Sequence, residues 1–526
     1  MSRNTFDLSH TVKLTGKMGH LIPLGCFEVL PSDHFKSRAA LDIRFQALLR
    51  PLMHNIKYTV HYWFVPTRLI WSDWEQFITG GEDGTAQPVS PYITTDGNNN
   101  AVGSLMDYMG IPTGVSGLQV SALPFRAYNL IFNDWYRNEN LRTKYNISLA
   151  SGADSITDLS LKRRTWKPND YFTNALPFLQ RGVSPILPLD GTAPVRGNGL
   201  ALGLQGSDSN TADGWAGMLG LHNTSTHGKV LTGFDRSNNN DVPIGNAANP
   251  TSFSAADNTY LGVSKDATKS GLEVDFSRGA YGMLVTTLRN GLGVQHLFEK
   301  FARGGARLVE VITAAWKIRS SDARLQRPEF LGGGSRPIVV SQVLQTSATE
   351  NSTPQANPAG FAQSLSVTPQ FNKAFEEWGY IIPILSVMPQ SDYMQGLAKM
   401  WTRQTRFDYA WPDLAKIGDQ AIYNREIYAQ GTSADGNIFG YTPRYEEYRK
   451  QINRVCGQFK TTLNFWHLAR IFSSLPTLSD SFVECTPDEQ RVFAVSGEDN
   501  LLVECLHEMY ATRSLPKFGN PGLNRV

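Results

Sequence analysis

Between Lys57 and Val65 the chain reads KYTVHYWFV, in which Tyr58, Val60, Tyr62 and Phe64 alternate with Lys57, Thr59 and His61. A period of two puts alternate side chains on opposite faces, so this run predicts a β-strand with one face buried. Ala40–Leu49 repeats the pattern, with Leu41, Ile43 and Phe45 set against Asp42, Arg44 and Gln46. His20–Leu30 is also β-like, but Pro23 and Gly25 within it predict an edge or bulged strand. Near the C-terminus, Phe459–Ala469 and Leu501–Thr512 return to strand character. Three stretches instead carry apolar residues at helical spacing. They are Phe125, Tyr128, Phe132 and Trp135 behind Pro124; Val294, Leu297, Phe298 and Phe301 ahead of Gly304–Gly305; and Leu308, Val311, Ile312 and Trp316.

Strands at both ends with helices and loops between them predict a mainly β fold. A sheet closed by pairing the first and last parts of the chain is a jelly roll, which controls its exposed edges by folding into two packed sheets. Two polar tracts interrupt the pattern. Gly191–Gly279 is rich in Gly, Asn, Ser and Thr and predicts a long loop-rich insertion; Ser341–Ser364 reads as an exposed extended connection. In FVPTRLIWSDWEQF a strand ends at Pro66, and Trp71, Trp74 and Phe77 follow at the spacing of one helical face. Three large rings beside a proline, far from any His, Cys or acid cluster, suit either a corner of the core or a surface that holds copies of the chain together.

The chain has 526 residues, beyond the size at which single cores stop growing, so it holds either two domains or one domain with large insertions. Only 18% of residues are charged, against 41% hydrophobic and 11% aromatic, which suggests extensive surface buried against other subunits. The net charge of +2 leaves room for a basic inner face and an acidic outer one. Cys26, Cys456, Cys485 and Cys505 are far apart, which points to buried free thiols rather than zinc or a disulfide framework. The first residues carry no apolar h-region, and nowhere do eighteen apolar residues run together, so the expected product is soluble and intracellular.

Catalytic patterns are missing. GNGLALG (Gly197–Gly203) has the wrong spacing for a dinucleotide fingerprint, LGGGS (Leu331–Ser335) lacks the Gly-Lys-Ser ending of a phosphate loop, and GVSGL (Gly114–Leu118) lacks a nucleophile elbow. Asp107, Asp134 and the Glu446–Glu447 pair are the acids that a glycosidase reading would need. Two basic groups stand out instead. Arg3, Lys13 and Lys17 precede the first strand with only Asp7 against them, and Lys162, Arg163, Arg164 and Lys167 cluster beside Trp166 and Tyr171. Cations interleaved with rings suit single-stranded nucleic acid, whose phosphates meet the charges while its bases stack; a solvated charge run or subunit salt bridges suit them too.

Several stretches together resemble the major capsid protein of Microviridae, the small icosahedral single-stranded DNA phages, on the gokushovirus side. They are FDLSH (Phe6–His10), LIPLGCFEVLPSDHF (Leu21–Phe35), FVPTRLIWSDW (Phe64–Trp74), ALPFRAYNLIFNDWYRNENL (Ala122–Leu141), NDYFTNALPFLQRG (Asn169–Gly182), ARGGARLVEVI (Ala302–Ile312), SSDARLQRPEFLGGG (Ser320–Gly334) and FGYTPRYEEYR (Phe439–Arg449). One departure is Ser32–Asp33, where the family has Gly-Asp. The resemblance implies an eight-stranded antiparallel viral jelly roll over residues 1–526, without cofactor or catalytic activity. It also implies sixty copies in a T=1 shell around circular single-stranded DNA, with pilot and internal scaffolding proteins as partners. Assembly would take place in the bacterial cytoplasm. By the same resemblance, residues 191–279 form a three-fold surface protrusion; its apolar patches LALGL and WAGMLGL would then put Trp215, Met218 and Leu219 at the contact between copies, with the protrusion meeting a host receptor. Arg3, Lys13, Lys17, Arg163 and Arg164 are then the nucleic-acid candidates, and Trp71, Trp74 and Phe77 the subunit-packing candidates. A non-viral carbohydrate-binding protein, a lectin or adhesin, is the competing reading.

Overall fold

The computed structural model describes residues 3–154, 159–166, 170–185, 284–305, 307–344, 346, 355–495 and 497–517, with short strands between 190 and 282. Contacts divide the chain into two units, one of Met1–Gly182 with Phe298–Val526 and the other of Val183–Leu297.

The first unit is built on an eleven-stranded antiparallel sheet that curls back on itself. Its strands are β1 (Asn4–Asp7), β2 (His10–Gly16), β3 (Ile22–Pro23), β4 (Phe27–Val29), β5 (His34–Phe45), β6 (Ile56–Pro66), β7 (Glu329–Leu344), β8 (Pro358–Val367), β9 (Phe371–Ala374), β10 (Gly379–Pro389) and β11 (Leu501–Arg513). One half runs β2–β11–β5–β8 and the other β7–β6–β10–β4. The halves are joined through β7, whose first part (Glu329–Ile338) pairs with β6 and whose last part (Val339–Leu344) pairs with β8. This is the jelly roll expected from the strand pattern, and the ends of the chain pair as expected, β1 and β2 both lying against β11.

The alternation explains the core. Phe35, Leu41 and Ile43 of β5, Val503, Cys505 and Met509 of β11, Tyr58, Val60 and Tyr62 of β6, and Leu385 of β10 all point between the halves and are buried. The first run also bears a second load. Trp63 and Val65 of β6, with Ile382 and Ile384 of β10, face outward into another buried cluster. The helix Leu123–Ile131 covers them, and Phe125, Tyr128 and Phe132 lie in that cluster at the predicted spacing. A π-helical turn, Phe132–Tyr136, continues the helix and brings Trp135 against the cluster too. The glycines of LGGGS belong to this architecture. At Gly333 a Cβ would lie 2.3 Å from the Val60 carbonyl oxygen, so only glycine lets β7 approach β6 there.

Three expectations need correction. Phe459–Ala469 is not a strand: it holds 3-10 turns at Gly457–Lys460 and Asn464–Trp466. Local bonds replace a ladder, for Ala469 N donates to His467 Nδ1 at 3.1 Å and so leaves Nε2 to donate to the Phe459 carbonyl at 2.8 Å. Ser341–Ser364 is partly strand, since the end of β7 pairs with the start of β8 and the sheet supplies partners that its polar sequence conceals. Of the four free thiols, Cys485 and Cys505 are buried as expected and Cys26 half-buried, but Cys456 is exposed, in an irregular stretch just ahead of the 3-10 turn Gly457–Lys460.

Among the described residues, the second unit has four short antiparallel pairings: Asp190–Thr192 with Ala280–Gly282, Val195–Gly197 with Leu272–Val274, Leu204–Gly206 with Leu261–Val263, and Thr232–Asp235 with Asn240–Pro243. They are nested, so the chain runs out and returns on itself. Strands of three or four residues carry too little alternation to be read from sequence.

Ser32 takes a left-handed backbone, φ 72°, of the kind glycine adopts most readily. Ser32→Gly should therefore stabilise the subunit by about 0.5–1 kcal/mol in urea titrations, by relieving a left-handed backbone that costs an ordinary residue roughly 1–2 kcal/mol. His507 is fully buried in β11 and bonds the Leu24 carbonyl through Nε2 at 3.1 Å, which ties the last strand to the first edge. Burial lowers its pKa to about 4. Its neutral form thus adds stability above the unfolded value, lost as pH falls from about 6.5 to about 4. The gap in melting temperature between wild type and His507→Gln should shrink across that window.

Candidate assembly and nucleic-acid surfaces

The strand β6 ends at Pro66, and the chain turns through the 3-10 segment Thr67–Leu69 into the helix Trp74–Thr79. Trp71 is buried, its Nε1 donating to Ser151 Oγ at 2.8 Å. Trp74 is half-buried and Phe77 42% exposed. The three rings touch nonetheless: Trp71 lies 4.8 Å from Phe77 and 5.8 Å from Trp74 between centroids, and Trp378 meets Trp74 at 5.8 Å. The cluster therefore grades from core to surface.

What holds this excursion on the barrel is a charge that the sequence pattern did not single out. Arg126, on the helix Leu123–Ile131, is 1% exposed. Its Nε donates to Asp154 Oδ2 at 2.6 Å, Nη1 to the Ile70 carbonyl at 2.9 Å and Nη2 to the Ala150 carbonyl at 2.9 Å. A planar fork with several donors can tie three segments at once. Arg142 does similar work, pairing with Asp480 at 3.1 Å and Glu484 at 2.5 Å. No periodicity marks such residues, because their partners are remote in sequence.

The basic candidates fall into two places. Arg3 is exposed just before β1, Lys13 is exposed on β2 opposite Glu504 with 3.9 Å between charged atoms, and Lys17 is exposed beyond β2. The partial pairing of Lys13 with Glu504 is weak at such exposure and leaves the cation available. Lys17 comes near Arg163: both act on half-buried His20, whose pKa is lowered to about 4 by burial first and then by Arg163 and Lys17. Arg163 is half-buried and its Nη1 donates to the Cys485 carbonyl at 3.2 Å. Arg164 is half-buried and faces a cavity of about 510 Å³. The neighbouring rings are not open stacking platforms, since Trp166 and Tyr171 are each only 3% exposed. Trp215, Met218 and Leu219 lie outside the described residues.

The acids considered for glycosidase chemistry are engaged otherwise. Glu446 pairs with Arg449 at 3.0 Å and Lys450 at 3.1 Å, Glu447 with Arg403 at 3.4 Å, and Asp107 Oδ2 accepts from Gly103 N at 2.8 Å. Asp134 has its pKa raised by burial while Lys144, Arg327, Arg307 and Arg137 lower it. Exposed apolar side chains are abundant elsewhere, among them Trp316, Trp401, Phe407 and Trp411 on one surface or another, and Leu365 and Val339 on the outer face of the sheet. Unmated apolar surface on this scale marks association.

An antiparallel jelly roll with a helical layer outside one half, long insertions and unmated aromatic surface is the architecture of viral shell proteins. Residues 1–523 match the family described as capsid protein (F protein). The chain is similar to the capsid protein VP1 of Chlamydia phage 1, 34% identical over all of this chain and 96% of the relative. It is 35% identical to the capsid protein VP1 of Bdellovibrio phage phiMH2K, covering 99% of this chain and 95% of the relative, and 32% identical to that of Spiroplasma virus 4, covering 100% and 96%. The chain belongs to the phage capsid protein (F protein) family, and the microvirus resemblance of its motifs holds along the whole sequence. It is a structural protein of the virion that assembles into an oligomeric shell, not an enzyme.

The graded aromatic cluster makes separable predictions. Trp71→Ala should cost the isolated subunit about 3–5 kcal/mol in denaturant melts, as for other large buried rings. Phe77→Ala should change the same melts by no more than about 0.5 kcal/mol.

Proposed function

We propose that sixty copies of the chain form a T=1 shell around circular single-stranded DNA, with pilot and internal scaffolding proteins as partners in the bacterial cytoplasm. The match of the family over essentially the entire chain carries this reading. Low charge and exposed apolar surface support it, because a closed symmetric shell repeats each modest contact many times. In this reading Trp74 and Phe77 complete their burial against a neighbouring copy. Arg3, Lys13, Lys17, Arg163 and Arg164 meet the packaged strand without sequence preference, so binding weakens with salt as counterions are released.

Residues 191–279 form an outward protrusion at the three-fold axis and attach the particle to a host receptor. Nested short ladders that run out and back support a projecting arm. Trp215, Met218 and Leu219 sit at the contact between three copies, where LALGL and WAGMLGL bury patches that one arm alone leaves wet. Replacing 191–279 with a brief Gly-Ser linker should leave closed shells visible by electron microscopy and abolish adsorption to host cells. Shells that adsorb normally remove the attachment role, and loss of shells makes the segment structural.

A further inference from the structure

The strand β7 outruns its neighbour. Its first part pairs with β6 as far as Ile338 opposite Ile56, and its last part, Val339–Leu344, pairs with β8 alone. Among the described residues no strand lies against the other edge of that last part. Backbone groups along an open edge are a template for one more strand, and folds guard such edges with charge. The outer edge of β2, which likewise pairs only with β11, carries exposed Lys13. The tail of β7 has no such guard. From Pro337 to Leu344 the chain reads PIVVSQVL, and its partner β8, PAGFAQSLSV, carries no charge either.

The side chains decide what fits that edge. Val340 points inward and packs on the barrel core, so Val339, Ser341 and Val343 alternate with it on the outer face. Val339 is 63% and Val343 55% exposed, and Phe361, directly across from Ser341 on β8, is exposed too. The outer row Val-Ser-Val reads the same in both directions. Two copies of one strand related by a two-fold axis perpendicular to the sheet run antiparallel, and the residue on the axis meets its own copy. Centred on Ser341, such a pairing sets Val339 opposite Val343 of the partner subunit and serine opposite serine. Pairs of β-branched side chains and of hydroxyls stabilise neighbouring strands, and this pairing brings no like charges together.

We propose that the tail of β7 is an interface strand: it pairs antiparallel with the same tail of a second copy about a two-fold axis at Ser341, so that two barrels share one continuous sheet. The open edge, the missing charge and the palindromic outer row carry the contact itself. Its place on the two-fold axes of a closed particle rests on the proposed T=1 shell, whose symmetry supplies such axes.

The test puts charge on the axis. Ser341→Lys and Ser341→Glu each set like charges opposite one another, at a position exposed in the single subunit. Sedimentation velocity of the purified chain over a concentration series should show dimers weakened at least about tenfold in either variant. Melting temperatures should stay within about 2 °C of wild type, since the change lies on the surface. Mixed in equal amounts, the two variants should recover the dimer, because opposite charges then meet. Ser341→Cys, in a Cys456→Ser background that removes the exposed thiol, should oxidise to a disulfide-linked dimer, since residues directly opposite lie within disulfide reach. Dimers of Ser341→Lys as tight as wild type overturn the contact, as does a wild-type chain that stays monomeric at every concentration. Charged variants that fail to recover on mixing overturn the pairing of the strand with its own copy, and a missing disulfide overturns the register. Electron microscopy keeps this apart from the shell reading. Closed T=1 particles made from Ser341→Lys alone overturn the contact and leave the shell standing; particles of another symmetry that form only from the mixture do the reverse.

Discussion

The strand β6 has to bury both of its faces, and the rest of the molecule is arranged around that requirement. Ile56, Tyr58, Val60, Tyr62 and Phe64 fill the space between the sheet halves, while Trp63 and Val65 on the opposite side demand a cover of their own. An ordinary jelly-roll strand has a wet face; this one does not along its second half. The helix Leu123–Ile131 and its π-helical extension exist in this fold as that cover, and Trp135 packs 4.5 Å from Trp63 between ring centroids. At the start of the same strand the outward residues become Lys57, Thr59 and His61, the helical layer reaches no further than Tyr136 against His61, and a polar cavity opens. Apolar wall and polar pocket are thus two ends of one strand face.

Buried charge secures what apolar packing cannot position. Apolar contacts are tolerant of sliding, whereas Arg126 fixes Asp154, Ile70 and Ala150 at hydrogen-bond distances. Removing one partner of such an enclosed pair leaves an unmatched charge, which costs several kcal/mol. The aromatic corner at Trp71 can therefore run from fully enclosed to open without losing its place. A surface ring held in register by an interior arginine is a surface ready for docking, because little order remains to be imposed when a neighbour arrives.

The strands with long alternation were legible: β5, β6 and β11 declare their buried faces residue by residue, and the helix around Tyr128 declares its stripe. The family and its fold were legible in motif order. Legibility failed where partners decide structure. Phe459–Ala469 alternates like a strand but finds no edge to pair with, and closes on itself through His467. Ser341–Ser364 looks like a connection but is given partners by the sheet. The basic pair Arg163–Arg164 was visible as charge; that one arginine would bond the Cys485 carbonyl and the other face a cavity with His61 depends on residues remote in sequence. Nor does Arg126 advertise itself, since an arginine in a helix usually means a wet face.

The position of β11 sets an order of events. It lies between β2 and β5, pairing with both, yet it comprises residues 501–513, far along the chain from either. During synthesis β5 waits without this neighbour while everything between them is made, and such long-range pairing is slow to form. A subunit cannot close its barrel while incomplete. The same topology makes β11 a condition of closure: a polypeptide that stops short of it leaves β2 and β5 without the strand that joins them.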